Sequence, residues 1–217
     1  MEILYTVEVR PDTGLSNGKL GVWLFLASEV MLFAALFSSY ILLRVGSVEW
    51  PHGSQELSVP LAFFNTVVLI SSSVTMVMAW ASLKMNDFGK FRMFLGATIL
   101  LALTFLVVKF FEYKDKFTHH HVPGYDFHIE GAHAGLAGPM EIFFSLYFTM
   151  TGLHALHMII GFGIMSVITW MAYRGRFSTQ WSTPVEMSGL YWHFVDIVWI
   201  FLFPLLYLLG RHAGTGA

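Results

Sequence analysis

The chain has 217 residues, of which 56% are hydrophobic and only 12% are charged. Soluble domains contain about 25% charged residues, so this composition predicts an integral membrane protein. The formal net charge of -2 and the lack of a long basic run argue against a nucleic-acid partner. The absence of cysteine excludes disulfides, iron–sulfur clusters, c-type haem attachment and thiolate copper sites from the chain.

The segment before residue 20 is polar and mixed in charge. It lacks the basic start, the apolar stretch and the small-residue cleavage site of a secretory signal peptide. We therefore expect the first apolar segment to remain in the protein as a membrane-spanning helix.

Five apolar segments follow one another along the chain, at residues 20–45, 60–83, 91–113, 142–173 and 187–209. Each provides the roughly 20 mostly apolar residues that a spanning helix needs. The fourth is longer than a bilayer requires, so we expect it to tilt or to project beyond the lipid. No internal repeat or soluble domain is evident. The sequence therefore predicts an all-α bundle of five transmembrane helices, as a single domain over residues 1–217.

The second segment contains a stripe of small and polar residues, which predicts close packing against neighbouring helices. The stripe consists of Asn65, Ser72, Thr75, Ala79 and Ser82.

The distribution of positive charge predicts the orientation of the bundle, because cytoplasmic loops are enriched in Lys and Arg. One set of helix ends, with the N-terminus, has seven such residues: Arg10, Lys19, Lys84, Lys90, Arg92, Arg174 and Arg176. The other set has four: Arg44, Lys114, Lys116 and Arg211. We therefore expect the N-terminus in the cytoplasm and the C-terminus outside, in a membrane of the bacterial plasma-membrane type.

Glu29 is the most notable ionisable residue of the first segment. At about 1.5 Å rise per residue it lies roughly 14 Å from the cytoplasmic edge, close to mid-membrane. A charge at that depth costs on the order of 3 kcal/mol or more. The carboxyl group must therefore turn towards another helix or remain protonated.

His193 and Asp196 on the fifth segment are the partners that the sequence suggests for Glu29. They are three residues apart and therefore share a helix face. Counted from the start of that segment, they lie at a depth similar to that of Glu29. We expect a buried polar cluster of these three residues. Two roles stay open for it: fixing the helix register, or handling protons.

His154 and His157 lie three residues apart on the fourth segment, a spacing that metal ligands also use. Counted from the cytoplasmic end of the fourth segment, their depth in the membrane differs from that of His193 by about 15 Å. This difference is too large for the three histidines to bind one haem iron. Two histidines on one helix face also cannot provide the opposed axial ligands of a haem. We expect each to hydrogen bond to a neighbouring helix or to a backbone carbonyl, with no metal bound.

Lys109 and Glu112 share a face near the outer end of the third segment. The default interpretation of Lys109 is an interfacial lysine whose ammonium group extends outwards to water. The loop that follows contains His119, His120, His121, His128 and His133 beside Asp126 and Glu130. This loop could bind zinc or buffer protons, but a solvated loop is the simpler interpretation.

Five runs of sequence stand on successive segments: WLFLASEV at 23–30, NTVVL at 65–69, EY at 112–113, TGLHALHMIIG at 151–161 and YWHFVDIVW at 191–199. Together they cover the chain from about residue 18 to residue 210. In their order and sequence they resemble subunit III of cytochrome c oxidase.

The resemblance implies an accessory subunit that packs on catalytic subunit I of an aerobic respiratory haem-copper oxidase, with subunit II in the same complex. It implies that haem and copper reside in those partner subunits and that phospholipid binds to this one. The family's carbodiimide-reactive membrane carboxylate maps onto Glu29. The family is thought to support proton uptake into subunit I and to protect the active site during turnover.

One feature departs from the family's longer members, which have seven spans. This chain begins at what would be their third span, so the lipid cleft that their first two helices help to form is altered or completed by another subunit. Five-helix relatives also serve quinol oxidases, and a more distant branch accompanies nitric oxide reductases. The run YWHFVDIVW and Glu29 favour a cytochrome c oxidase.

Two functions of other classes are alternatives to the accessory subunit. A haem-binding membrane enzyme would show a Soret absorbance in the isolated chain. A small proton channel or transporter would use Glu29 as its carrier site, but such proteins usually contain inverted repeats or helices broken by Gly and Pro at the site. Pro204, late in the fifth segment, is the main interruption here.

Overall fold

A computed structural model describes residues 16–51, 53, 57–118, 122–124, 137–179 and 181–209. It contains five long α-helices: α1 (Asn17–Gly46), α2 (Val59–Lys84), α3 (Phe88–Thr118), α4 (Ala137–Tyr173) and α5 (Thr183–Phe203). A π-helical turn, Pro204–Leu208, continues α5. All five helices are long and apolar enough to cross a membrane, which confirms the predicted fold class. The fourth is the longest, with 37 residues.

The helix ends follow from local sequence. Pro60 and Pro184 stand in the first turns of α2 and α5, where a residue without an N–H loses no helical hydrogen bond. Asn86, two residues after the end of α2, adopts a left-handed conformation with φ of 62°, and Gly175, two residues after the end of α4, does so with φ of 68°. Asn and Gly tolerate this conformation best, and it terminates a helix cleanly.

The turn between α2 and α3 is short because the end of one helix and the cap of the next share residues. The Asp87 N–H donates to Ser82 O at 2.9 Å, which closes α2. The Asp87 side chain accepts from the Lys90 N–H at 3.1 Å, which caps the first turn of α3. The turn therefore holds α2 and α3 together as an antiparallel pair.

Helix α5 is the centre of the bundle. It packs against α1, α2 and α4, while α3 lies against α2 and α4. In the apolar membrane-spanning stretch of α5, 61% of the residues are buried inside the bundle, whereas in that of α1 only 6% are buried. Helix α1 is therefore peripheral and exposes most of its apolar surface.

The small-residue stripe of α2 packs as predicted. Asn65, Ser72, Ala79 and Ser82 are buried. Ser72 accepts a hydrogen bond from the Trp192 indole at 2.9 Å, and Thr75 bonds Thr98 of α3 at 2.8 Å. The stripe thus joins α2 to both of its neighbours, as interhelical polar contacts do in membranes.

The π-helical turn after α5 directs a tyrosine into the bundle. Pro204 has no N–H to donate and so disturbs the regular ladder of α5. The wider turn closes with a bond from Leu209 N to Pro204 O at 3.2 Å. Tyr207, within this turn, is fully buried. Insertions of this kind are frequent at functional positions.

Candidate functional site

Glu29 of α1 contacts His157 of α4. The Glu29 Oε2 atom lies 3.0 Å from His157 Nε2, and both side chains are largely shielded from solvent. The carboxyl group therefore turns inwards, as predicted. His157 Nδ1 is 2.8 Å from the Leu153 carbonyl oxygen of its own helix.

These two contacts fix the number of protons in the pair. A carbonyl oxygen can only accept, so His157 Nδ1 must be the donor to Leu153. If the ring is neutral, Nε2 is then an acceptor, and Glu29 must be protonated to bond with it. If the ring is cationic, Glu29 is a carboxylate. In either case the pair shares one proton, and the geometry can hold that proton among the spanning helices.

Aromatic rings surround the pair. The His157 ring lies 5.6 Å from that of Phe33 and 6.3 Å from that of Phe194, centroid to centroid. The Tyr191 hydroxyl donates to the His157 carbonyl oxygen at 3.1 Å. A cavity of about 340 Å³ lies beside His157 and is lined by α1, α4 and α5. The pair is thus enclosed mainly by apolar groups, next to a space of ligand size.

The predicted contact of Glu29 with His193 and Asp196 is wrong. Successive residues of an α-helix turn by about 100°, and α5 directs Tyr191 and Phe194 towards the Glu29 side of the bundle. His193 instead contacts Ser73 of α2, with His193 Nδ1 2.6 Å from Ser73 Oγ. Similar depth along two helices does not determine which side of α5 a residue occupies.

The predicted depth difference between His157 and His193 is also wrong. The His157 ring lies 6.4 Å from the ring of Tyr191 and 6.3 Å from that of Phe194, the residues that flank the level of His193. Helix α4 has 37 residues and α5 has 21. Distances counted from the ends of two such unequal helices do not give a common depth.

Asp196 lies on the α2 side of α5, in the same cavity as His193 and Ser73. Its side chain is buried, with 3% of the residue exposed. The Ser73 hydroxyl is the donor beside this carboxyl group, although its geometry falls outside that of a regular hydrogen bond. His193 and Asp196 therefore do share a location, as predicted, but without Glu29.

Lys109 and Glu112 form a buried ion pair, so the interpretation of Lys109 as an interfacial lysine that reaches water is wrong. Lys109 Nζ lies 2.9 Å from Glu112 Oε2, and the Lys109 residue is only 5% exposed. The ammonium group also donates to the Tyr207 hydroxyl at 2.8 Å and lies 4.7 Å from the centre of the Trp199 ring. These surrounding groups lower the free-energy cost of burying the Lys109 charge. The spacing of residues in the sequence did not reveal them.

Two tyrosines complete this cluster, and neither was predicted from the sequence. The hydroxyls of Tyr147 and Tyr207 donate to Glu112 Oε1 at 2.8 Å and 2.6 Å. The cluster thereby joins α3, α4 and the π-helical turn. Tyrosines within predicted spans were the available signal, because a buried hydroxyl usually requires a partner.

His154 makes no hydrogen bond within the described part of the chain, contrary to the expectation of a donor contact. Its ring lies 5.2 Å from that of Trp199 and 5.7 Å from that of Phe105. Within the described residues, no group of three or more His, Cys, Asp or Glu residues has the arrangement of a metal site. The histidines of the loop, His119, His120, His121, His128 and His133, lie outside the described residues.

Comparison with known proteins identifies the family. The sequence-family model of cytochrome c oxidase subunit III matches residues 9–211 of the chain. Cytochrome c oxidase subunit 3 of Bacillus subtilis is 34% identical over 210 residues, which is 94% of each chain. Cytochrome bo(3) ubiquinol oxidase subunit 3 of Pseudomonas aeruginosa is 31% identical over 92% of this chain and 88% of that one. Haem-copper oxidase subunit I+III of Aeropyrum pernix is 30% identical over 87% of this chain, which is 22% of that longer protein.

The five apolar helices and these matches define the class first: a multi-pass membrane subunit of a haem-copper oxidase. Within that class, the chain belongs to the cytochrome c oxidase subunit III family. Its function is that of an accessory subunit of the oxidase, in a complex with subunit I. The resemblance drawn from the five sequence runs is thereby confirmed.

Proposed function

We propose that this accessory subunit supports the stability and the proton uptake of subunit I in a proton-pumping cytochrome c oxidase that also contains subunit II. It acts as one transmembrane domain in a bacterial-type plasma membrane. Phospholipid binds to it, and haem and copper remain in the partner subunits. Among its polar residues, Glu29 with His157 is the pair we assign to proton handling.

The observation that supports this proposal is the contact of 3.0 Å between Glu29 Oε2 and His157 Nε2. A carboxyl and an imidazole at 3.0 Å can exchange a proton with little movement of either side chain. Their enclosure by aromatic rings keeps competing water away from the pair. His193 and Asp196 form a second polar location, and we assign it no proton transfer.

The test compares the purified oxidase with and without this chain. We expect identical haem spectra, slower proton uptake without the chain, and faster loss of activity during turnover. The Glu29→Gln complex should keep its haem spectrum and nearly all basal turnover, because the change removes a buried acid and not a metal ligand. Equal proton uptake and equal lifetime with and without the chain would refute the proposed role.

A quinol oxidase is the second candidate, because the Pseudomonas aeruginosa relative is named as a ubiquinol oxidase subunit. The donor is distinguished by assaying the same purified complex with reduced cytochrome c and with ubiquinol. Turnover with cytochrome c alone supports our proposal. Turnover with quinol alone would show that the complex is a quinol oxidase, which is the second candidate.

The proposed orientation, with the N-terminus in the cytoplasm, can be tested cleanly because the chain contains no cysteine. Met85 lies at the α2–α3 turn and Thr118 at the opposite end of α3, and both are exposed. A membrane-impermeant maleimide should label Thr118→Cys in intact cells and Met85→Cys only after permeabilisation. The reverse labelling would invert the orientation.

A further inference from the structure

Two polar side chains in the interior of the bundle have no hydrogen-bond partner among the described residues: Asn65 of α2 and His154 of α4. Asn65 is 0% exposed and His154 is 1% exposed. Both amide atoms of Asn65 and both ring nitrogens of His154 lack a partner. Buried polar groups are normally satisfied, because leaving one without a hydrogen bond is costly. These two residues therefore require a partner that can reach the interior.

Asn65 lies at the level of Trp199 in the bundle. The Trp199 indole donates to the hydroxyl of Thr66, the next residue of α2, at 3.0 Å. Two turns further along α2, on the side that contains Asn65, Ser72 accepts the indole N–H of Trp192 at 2.9 Å. Trp192 is also two turns from Trp199, so α2 and α5 keep the same spacing over this stretch. The side of α2 that contains Asn65 and Ser72 therefore faces α5.

His154 approaches the same tryptophan from α4. Its ring lies 5.2 Å from that of Trp199 and 5.7 Å from that of Phe105 of α3, centroid to centroid. The rings of Phe105 and Trp199 are themselves 5.0 Å apart. Lys109 Nζ lies 4.7 Å from the centre of the Trp199 ring. Three polar side chains from α2, α3 and α4 thus meet around one indole.

Helices α2, α3, α4 and α5 form a ring of four around this level. Helix α2 packs against α3 and α5, and α4 packs against the same two helices. Asn65 and His154 therefore belong to one opposite pair of helices, and Phe105 and Trp199 to the other. Among the described residues, no hydrogen bond joins a side chain of α2 directly to one of α4.

The chemistry of the two side chains restricts the partner. A neutral imidazole has one donor and one acceptor, and an amide has both kinds of group. All four unpartnered atoms are sealed inside the bundle, so a lipid or a docked protein cannot reach them. Water is small enough to lie in a protein interior, and there it typically bonds buried polar groups that are otherwise unsatisfied. It also both donates and accepts.

We propose that the bundle contains an internal water site beside Trp199, at which ordered water bonds Asn65 of α2 and His154 of α4. The surrounding lipid offers no competing hydrogen bonds, so these groups retain the water. The site joins the two opposite helices of the four-helix ring. It is independent of Glu29, which lies against the other end of the α4 turn at His157.

X-ray radiolysis of the intact oxidase tests for this water. Radiolysis converts water to hydroxyl radicals where it stands, and these oxidise the side chains next to it, including buried ones. Trp199 and Trp192 are matched reporters, because both are 0% exposed and both donate the indole N–H to a hydroxyl group of α2. We expect Trp199 to be oxidised at least several-fold faster than Trp192, as quantified by mass spectrometry of their peptides.

Two results with the unmodified complex overturn the inference. One is equally slow oxidation of the two tryptophans. The other is a density map, at a resolution that shows ordered water, in which Asn65 and His154 bond each other or other protein groups directly. The map that we expect contains a water peak at about 2.7–3.2 Å from both side chains.

Substitution of Asn65 links the water to its partners. Asn65→Leu removes the polar atoms at similar volume, so the oxidation of Trp199 should fall to the rate of Trp192. Asn65→Ser keeps a donor and an acceptor and should retain the excess, and Thr104→Val, at an exposed position of α3, is the control. Persistent excess in Asn65→Leu, with Trp192 unchanged, would show that the water does not bind at Asn65. Faster oxidation of Trp192 would reveal a loosened bundle, and the unmodified complex then decides the question alone.

Discussion

Glu29 and His157 illustrate how two ionisable side chains can be placed together among apolar helices. Each satisfies the other, and His157 is oriented by the Leu153 carbonyl at 2.8 Å. The shared proton keeps the net charge of the pair at zero in both of its forms. A neutral pair avoids most of the cost of a charge in the membrane.

The first prediction concerns the hydrogen bond that holds this pair. Glu29→Gln should leave unfolding of the purified chain in mixed detergent nearly unchanged, because the amide N–H can still donate to His157 Nε2. Glu29→Leu leaves that nitrogen without a partner and should lower the free energy of unfolding by about 1–3 kcal/mol. Equal damage by both variants would contradict the hydrogen-bonding scheme.

Lys109 and Glu112 are a second pair of ionisable side chains buried among the helices, and here each carries a full charge. Two tyrosine hydroxyls and the Lys109 ammonium group donate to the Glu112 carboxylate. The ammonium group is further stabilised by the face of Trp199 at 4.7 Å. Removing one charge from such a set leaves the other buried and uncompensated.

The second prediction follows from that asymmetry. Lys109→Met should lower the free energy of unfolding by about 3–5 kcal/mol, measured by detergent denaturation. The double variant with Glu112→Gln should recover part of the loss, since the amide oxygen still accepts from the tyrosines. Lys114→Met, at an exposed position of the same helix, is the control and should change little. A lysine that merely extends to the membrane surface would make Lys109→Met behave like that control.

At the scale of helices, the contact between α4 and α5 depends on one glycine. A Cβ atom placed on Gly161 would lie 3.0 Å from the Trp192 ring and 3.2 Å from that of Tyr191. Trp192 is fully buried and its indole is bonded to Ser72, so it cannot move aside easily. Glycine is therefore required here for close approach of the two helices.

The third prediction compares two glycines of α4. Gly161→Ala should lower the free energy of unfolding by about 1–3 kcal/mol through overpacking against Trp192. Gly163→Ala, where nothing lies within 4 Å of the added carbon, should be neutral or slightly stabilising because Ala favours helix. Identical effects of the two changes in the same denaturation assay would disprove the packing argument.

The turn between α2 and α3 lies outside the spanning segments and responds to pH through Asp87. Its hydrogen bond from the Lys90 backbone N–H, supported by the Lys90 ammonium group at 3.0 Å, lowers the pKa of Asp87 below its usual 3.8. A carboxyl pKa that is lower in the folded protein stabilises the fold above the unfolded-state pKa. That stabilisation is lost as the pH falls through the folded-state value.

The fourth prediction is therefore a small loss of thermal stability of the purified chain between about pH 5 and about pH 3, in excess of that of Asp87→Asn. Asparagine caps a helix without titrating, so it removes the pH dependence and keeps the turn. Because Asp87 is exposed, the difference should be modest and should shrink in high salt. A wild-type pH profile that parallels that of Asp87→Asn would exclude the cap as its source.

At the scale of the whole molecule, the fold could be predicted from the sequence, because five long apolar segments have few alternatives to a bundle of spanning helices. The predicted segments 20–45 and 60–83 lie within α1 and α2, with ends displaced by three residues or fewer. The fourth segment was recognised as unusually long, and α4 confirms it. Composition, length and turn residues such as Asn86 act locally, so the sequence displays them directly.

The polar contacts could be predicted less well from the sequence, because they depend on which side of a helix faces which neighbour. Glu29 was expected to turn inwards and does, but its partner is His157 of α4 and not His193 of α5. Lys109 was expected to reach water, since its tyrosine partners Tyr147 and Tyr207 come from distant parts of the chain. Helix rotation and long-range pairing are properties of the assembled bundle.

The most direct test of the central claim is purification of the oxidase through a tag on this chain, followed by dissociation of the subunits. The claim is that the chain is an accessory membrane subunit whose partners perform the electron chemistry. We predict that subunit I co-purifies and that all haem absorbance stays with it after this chain is removed. Haem in stoichiometric amount on the isolated chain, or purification of the chain without subunit I, would contradict the account.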